Sequence, residues 1–374
     1  MIVTNRQPHP GRRVAVAAAL AGVLALHPVI GRAQDTKKPK VPKEAKPPKT
    51  GEATVPPLFT SETPLAITFT ANFDKLRGDK SQTSPWRSAT MSYLGADGKT
   101  VTVPMRAKTH GIWRLAHCAL PPIRLNVSNK DAKGTLFHDV QKPKMVSVCK
   151  NQDSYEQLVL KEAQLYRVYQ LITPLSHRVR TLRVTYTDSA SGKVEATRYA
   201  FLFEDPDELA ARLGGVMTKT KGATSDDMEP DALAKAYLFE YFIGNLDFSF
   251  NGLHNTELVL KQDGSLATPI AYDFDFSGAV NAPYATVDPQ FRSKRVVERV
   301  FRGYCAILDA YPAAIEHFQK KKDAIYALYR DEVGKLMEPD IVKGALAYYD
   351  DFYDEIKTPR DAEANILKRC LGPR

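Results

Sequence analysis

The chain has 374 residues, 43% of them hydrophobic and 25% charged, with a formal net charge of +9. That composition suits a folded protein with a sizeable core. Ten Lys or Arg against three Asp or Glu fall in residues 1–57, which leaves 42 basic and 40 acidic residues, a net +2, for the rest. The positive charge is thus a property of the N-terminal segment, and the folded part offers no nucleic-acid surface.

In chain order, Arg6, Arg12 and Arg13 precede the apolar run from Val14 to Leu26, and Gly31 and Ala33 are small residues at the minus-three and minus-one positions of a cleavage site. Residues 1–33 read as a secretory signal peptide cut near Ala33, because the apolar run is shorter than the roughly 18 residues a membrane span needs. No later run is long enough, so no transmembrane segment is expected in the mature chain, and a secreted, periplasmic or extracellular location follows. Residues 34–57 alternate Lys and Pro and read as a solvated linker, able at most to touch an anionic envelope surface through screened charge. Four cysteines in an exported chain can pair in three ways. Cys118 and Cys149 flank strands of the first half and Cys305 and Cys370 lie in helical sequence of the second, so Cys118–Cys149 and Cys305–Cys370 are the expected bridges.

Strand signals dominate from Pro64 to Phe203. Alternation or β-rich runs mark Ala66–Phe73, Ser88–Tyr93, Val101–Met105, Ile123–Val127, Lys144–Val148, Val179–Thr187 and Ala196–Phe203, with one helix from Ser154 to Ile172. Gly98-Lys99-Thr100 resembles the end of a Walker loop, but Tyr93 stands where a glycine is needed and no helix follows, so Asp97-Gly98 reads as a hairpin turn. From Pro206 onward the pattern is helical: Pro206–Leu213, Pro230–Ile243, Pro289–Leu308, Pro312–Leu336, Ile341–Glu355 and Arg360–Cys370. This order predicts an α+β, two-lobed, protein-kinase-like fold. Residues 58–205 would form a β-rich nucleotide-binding lobe with one main helix, and residues 206–374 a helical lobe containing a catalytic β-hairpin.

On the helix of the first half, Leu158, Glu162, Leu165, Tyr169 and Ile172 share one face. A carboxylate in an apolar stripe needs a cationic partner or becomes protonated. Arg124 and Lys144, on preceding strands, are the candidates, and such a cation would also hold nucleotide phosphates.

The hairpin carries the densest chemistry. A polar loop with Asp247, His254 and Asn255 runs into a strand at Thr256–Leu260, turns at Asp263-Gly264, and returns through Pro269–Tyr272 to end in Asp273, Phe274 and Asp275. Asp and Asn in loops commonly cap turns, but here several would converge at one end of a hairpin. Mg²⁺ (or Mn²⁺) prefers oxygen ligands and keeps several waters, so one carboxylate and one asparagine can suffice. Asp247 suits the base that orients a hydroxyl, Asn255 and Asp273 the metal ligands, and Asp275 a further metal contact.

Asn245, Asp247, His254, Asn255 and the run DFDFSG from Asp273 to Gly278 resemble the spore-coat protein H (CotH) family of atypical kinases. KTHGIWR at Lys108–Arg114 is similar to that family's RxRG turn, with Lys108 and His110 in place of arginines, and FLFEDPDEL at Phe201–Leu209 to its interlobe segment. The likeness covers about residues 64–280. It implies ATP and Mg²⁺ as cofactors, Asp247 as the catalytic aspartate, and Asn255 and Asp273 on metal. Arg124 or Lys144 would hold phosphate, with Glu162 and Glu204 on the cofactor side. There is no GxGxxG loop and no HRD triplet, and Asn255 follows Asp247 by eight residues where protein kinases use about five. The sequence-level reading is an exported, Mg-dependent kinase acting on a protein hydroxyl. Two alternatives stay open: a noncatalytic secreted or envelope-associated binding protein on the same scaffold, and a nucleotidyl or small-molecule phosphotransferase.

Overall fold

A computed structural model describes residues 55–291 and 293–373, which belong to the compact unit Pro48–Arg374. The expected signal peptide and most of the expected Lys/Pro-rich linker lie outside the described residues.

In chain order the elements are β1 (Leu65–Ala71), α1 (Phe73–Gly78), β2 (Arg87–Leu94), β3 (Thr100–Thr109), α2 (Trp113–His117), β4 (Ile123–Asn126), α3 (Asn129–Ala132), β5 (Lys144–Val146), α4 (Asp153–Ile172), β6 (Val179–Asp188) and β7 (Val194–Phe203). Then follow α5 (Pro206–Arg212), β8 (Gly215–Met217), α6 (Pro230–Ile243), β9 (Thr256–Lys261), β10 (Thr268–Ala271), α7 (Tyr311–Leu328), α8 (Pro339–Glu355) and α9 (Pro359–Asn365).

The first seven strands close into a barrel in the order β1-β2-β3-β4-β5-β7-β6. All pairings are antiparallel except the closing one, where β1 runs parallel to β6 from Leu65↔Leu182 to Ala71↔Asp188. Closure satisfies both edges that an open sheet would leave unpaired. Alternation supplies the filling: Ile67, Phe69, Met91, Val103, Met105, Leu125, Met145, Leu182, Val184 and Leu202 form one interior cluster. Phe201 and Phe203, the other face of β7, belong instead to a second cluster with α4, α6, α7 and α8.

This architecture corrects the expected two-lobed, protein-kinase-like fold with one main helix in its first lobe. The β-rich half is a closed, mixed, seven-stranded barrel, and nine α-helices are present among the described residues, three short ones joining α4 in the first half. The physical reason is the position of α4. It packs the outer wall of β7 and also α6 and α7, so Leu160, Tyr166 and Tyr169 share a core with Phe239, Phe242 and Phe318. The expected hairpin is also larger, with β8 pairing β9 to give the order β10-β9-β8. The helix expected over Pro289–Leu308 is absent. In its place an irregular stretch leads into a 3₁₀ segment at Cys305–Ala310.

Helix α6 is bounded as its sequence asks, with Pro230 at its first turn and Gly244 just past its end at φ +64°. A Cβ at Gly244 would stand 2.1 Å from the Tyr348 hydroxyl, so both the left-handed turn and the close approach require glycine there. This turn launches the loop that carries Asp247. The disulfides are Cys118–Cys149 and Cys305–Cys370. They fit an oxidising compartment, and no helix among the described residues is long and apolar enough to cross a membrane.

Candidate functional site

The loop from Asn245 to Asn255 is fixed from several sides. The Asp247 amide donates to Asn245 Oδ1 at 3.0 Å, and Arg302 Nη1 donates to the carbonyls of Leu246 and Phe248 at 2.8 and 2.7 Å. Paired backbone bonds between Ser249 and His254, 2.8 and 3.0 Å, fold the tip back so that His254 and Asn255 return to Asp247. His254 Nε2 then meets Asp247 Oδ1 at 2.8 Å, while Asn255 Nδ2 donates to Asp247 Oδ2 at 3.0 Å and to its carbonyl at 2.7 Å. The hydrogen bond to Asp247 raises the His254 pKa.

Asp273 follows β10, and its amide donates to the Tyr166 hydroxyl of α4 at 2.9 Å. Asn255 and Asp273 both have left-handed backbones, φ +51° and +64°. Such conformations cost a non-glycine residue on the order of 1 kcal/mol and gather at functional sites. Buried Asp275 accepts from the Tyr284 hydroxyl at 3.1 Å. Burial, then repulsion from Asp273, pushes the Asp275 pKa up to about 7. Burial likewise raises Asp273 and Glu162.

The cationic partner of Glu162 is Arg114, from the five-residue helix α2. Arg114 Nη1 stands 3.5 Å from Glu162 and 3.9 Å from Asp275, and Nη2 donates to the Ser147 carbonyl at 2.7 Å. Cys118 ends α2 and Cys149 lies two residues past Ser147, so the first disulfide braces the arginine's support. Lys144 is different. It is only 5% exposed, with Nζ 4.6 Å from the Phe203 ring centre and 5.4 Å from that of Tyr272, yet no carboxylate among the described residues lies within ion-pair distance of it. Burial lowers its pKa. His110 is pushed down to about 3, first by burial and then by the charges of Arg124, Lys144 and Lys108.

These groups meet in one cavity of about 440 Å³. Lys144, Arg114 and His110 bound it from the barrel side, Glu162 and Tyr166 from α4, and Asp247, Asn255, Asp273 and Asp275 from the hairpin. Its apolar wall includes Ile112, Trp113 and Phe276, Trp113 lying stacked between His117 and Tyr284. Of the sequence-predicted residues, Asp247, Asn255, Asp273, Asp275, Lys144 and Glu162 are therefore together. Arg124, cross-strand from Lys144, is not among the residues bounding the cavity. Glu204 is also not among them, and its carboxylate accepts from Arg212 Nε and Nη2 at 3.0 and 2.8 Å, tying β7 to α5. Sequence reasoning met Arg114 and His110 only within the KTHGIWR turn, without a place in the site, and passed over Tyr166. Tyr166 was findable, since it lies one helical turn after Glu162.

No three of His, Cys, Asp and Glu among the described residues are grouped to hold a metal by themselves. The donors at hand are the carboxylates of Asp273 and Asp275 and the amide oxygen of Asn255. That set of hard oxygens fits Mg²⁺ or Mn²⁺ completed by water and phosphate better than it fits zinc. No family model and no curated protein matches the chain.

Proposed function

We propose that the cavity binds ATP with Mg²⁺ or Mn²⁺ and transfers the γ-phosphoryl group to a protein hydroxyl. The observation that carries this reading is Lys144, a buried cation without a carboxylate partner, bounding the same cavity as the acids of the hairpin. An ammonium held out of water without a counter-charge is an anion receptor. The motif resemblance at Asp247, His254, Asn255 and Asp273 to Gly278 supports the same chemistry independently of the fold.

Lys144 and Arg114 hold phosphate oxygens, and Asn255 and Asp273 hold the metal, which when bound supplies neutralisation of phosphate charge. Asp247 accepts the acceptor hydroxyl's hydrogen bond and takes its proton as the hydroxyl oxygen bonds to the γ-phosphorus and ADP leaves. His254 and Asn255 each hold one Asp247 oxygen and together fix the direction of the carboxylate. The disulfides and the leader-like N-terminal sequence support a secreted or periplasmic setting for this activity.

Melting curves with and without ATP and Mg²⁺ test binding, and intact-mass analysis of an incubated acceptor protein tests transfer. A gain of one phosphate is expected, a gain of AMP would indicate nucleotidyl transfer, and an unchanged melting temperature at saturating Mg·ATP would sink the reading.

A further inference from the structure

Asp247 also bounds a second cavity, of about 580 Å³, which shares only Asp247, His254 and Phe276 with the first. The Asp247–His254 pair is thus the partition between them. Leu246, Phe248, Thr286, Asp288, Phe291 and Arg302 are among its other walls. Its size is that of a ligand site.

Two features select the occupant. Arg302 is half-buried, its guanidinium 4.4 Å from the Phe248 ring centre and 4.6 Å from that of Phe291, and no carboxylate among the described residues lies within ion-pair distance of it. Of the other charges that bound the cavity, Asp247 is paired with His254 at 2.8 Å, and Asp288 is exposed, its two oxygens accepting from the Gln290 amide and side chain at 2.9 and 3.0 Å. Arg302, with Nη1 spent on the Leu246 and Phe248 carbonyls, is the half-buried charge left without an ion pair, and its remaining donors suit a carboxylate. Thr286 and Val287, in the irregular stretch that forms one wall, make no backbone hydrogen bond among the described residues. A free backbone edge of this kind suits an extended chain.

We infer that the second cavity is the acceptor subsite, taking an extended peptide segment that presents a Ser or Thr hydroxyl to Asp247 and an acidic side chain to Arg302. The inference rests on the phosphotransfer reading for its direction of chemistry, but the site itself can be tested without nucleotide. The test is fluorescence anisotropy of a labelled Glu-Glu-Ser-Glu-Glu peptide and of Lys-Lys-Ser-Lys-Lys on the full chain at low salt. The acidic peptide is expected to bind about tenfold more tightly, a preference that Arg302→Gln removes. Thr286→Trp, at an exposed wall position of this cavity alone, is expected to weaken the acidic peptide by about tenfold while the Mg·ATP melting shift persists. Should Arg302→Gln fail to fold, Thr286→Trp decides. Equal binding of the two peptides, or an acidic preference that survives the variants, overturns the subsite. Loss of the Mg·ATP shift in the unmodified chain instead overturns the phosphotransfer reading, with peptide binding reported separately.

Discussion

Lys144→Met separates what the fold wants from what the site wants. At 5% exposure the ammonium has lost nearly all its hydration without an ion pair to replace it. The faces of Phe203 and Tyr272 return about 1–2 kcal/mol, and the more distant charges of Glu257, Asp273 and Asp205 return some of the rest. Burial is still the largest influence and lowers the pKa, so the charged form is destabilised on balance. Methionine keeps most of the side chain's length and its apolar stem without the charge, and we expect a gain of about 1–2 kcal/mol near neutral pH. The sign of the pH dependence follows. A lysine whose folded pKa lies below its unfolded value binds fewer protons when folded, so its penalty is present below the folded pKa and fades as pH rises towards 10.5. The advantage of the methionine variant should therefore shrink between about pH 7 and pH 10. Urea denaturation at both pH values measures it, with an unchanged m-value as the control. The same variant should lose the stabilisation by Mg·ATP, about 2.7 kcal/mol at a hundredfold excess over Kd. A variant less stable than the wild type by more than about 1 kcal/mol would show Lys144 to be a structural residue. Retained Mg·ATP stabilisation would place the phosphate receptor elsewhere.

Asp273→Ala should abolish metal-dependent stabilisation by ATP, while Asp247→Ala keeps it and loses transfer. Equal, complete loss of binding in both variants would contradict those roles. ATP with EDTA should shift the melting curve less than Mg·ATP, and an equal shift would argue against a metal at Asn255 and Asp273. Removing Cys118–Cys149 by a double alanine substitution should cost roughly 3 kcal/mol and weaken Mg·ATP binding, because Arg114 is supported across that bridge. Removing Cys305–Cys370 should cost a similar amount and leave the affinity alone, which isothermal titration of both variants would check. Glu240 is fully buried beside Asn245, and burial pushes its pKa up to about 8 from 4.5. The folded state then holds the proton more tightly, and stability should fall as pH rises from about 4.5 to about 8. Glu240→Gln should flatten that fall and be the more stable form at pH 8 by on the order of 2–4 kcal/mol. Parallel pH–stability curves for the two proteins would refute the assignment.

How much of this was legible in the sequence depends on the range of the interaction that decided each element. Helix α6 falls at Pro230–Ile243 as expected because its stops are local, Pro230 and Gly244. The strand from Val179 was legible from its alternation, but its pairing with β1, more than a hundred residues earlier, leaves no local trace, and that pairing closes the barrel. The stretch 289–308 has helix-like apolar spacing, with Phe301, Cys305 and Ile307 buried, yet it stays irregular up to the 3₁₀ segment. There Arg299 and Arg302 donate to backbone carbonyls of Phe242, Leu246 and Phe248, so side chains brace the end of α6 and the loop after it in place of a helix. Arg114 was noted only as the end of the KTHGIWR turn, and its pairing with Glu162 escaped because a five-residue helix after Gly111 has no period to read.

That Asp247, Asn255, Asp273 and Asp275 would lie together was legible because a hairpin brings its two ends side by side, and all four bound one cavity. The cavity carries this further than the motif does. Four carboxylates, Glu162, Asp247, Asp273 and Asp275, bound it with Lys144, Arg114 and His254, while His110 stays neutral. Burial raises Glu162, Asp273 and Asp275, and repulsion among the acids adds to it. A nucleotide triphosphate alone would add to the negative charge, whereas on the proposed function a divalent ion would offset the acids and leave Lys144 for the phosphate. On that reading the acids and the lone lysine would be complementary parts of one charge balance: each side is costly by itself, and a metal and an anion bound together would satisfy both.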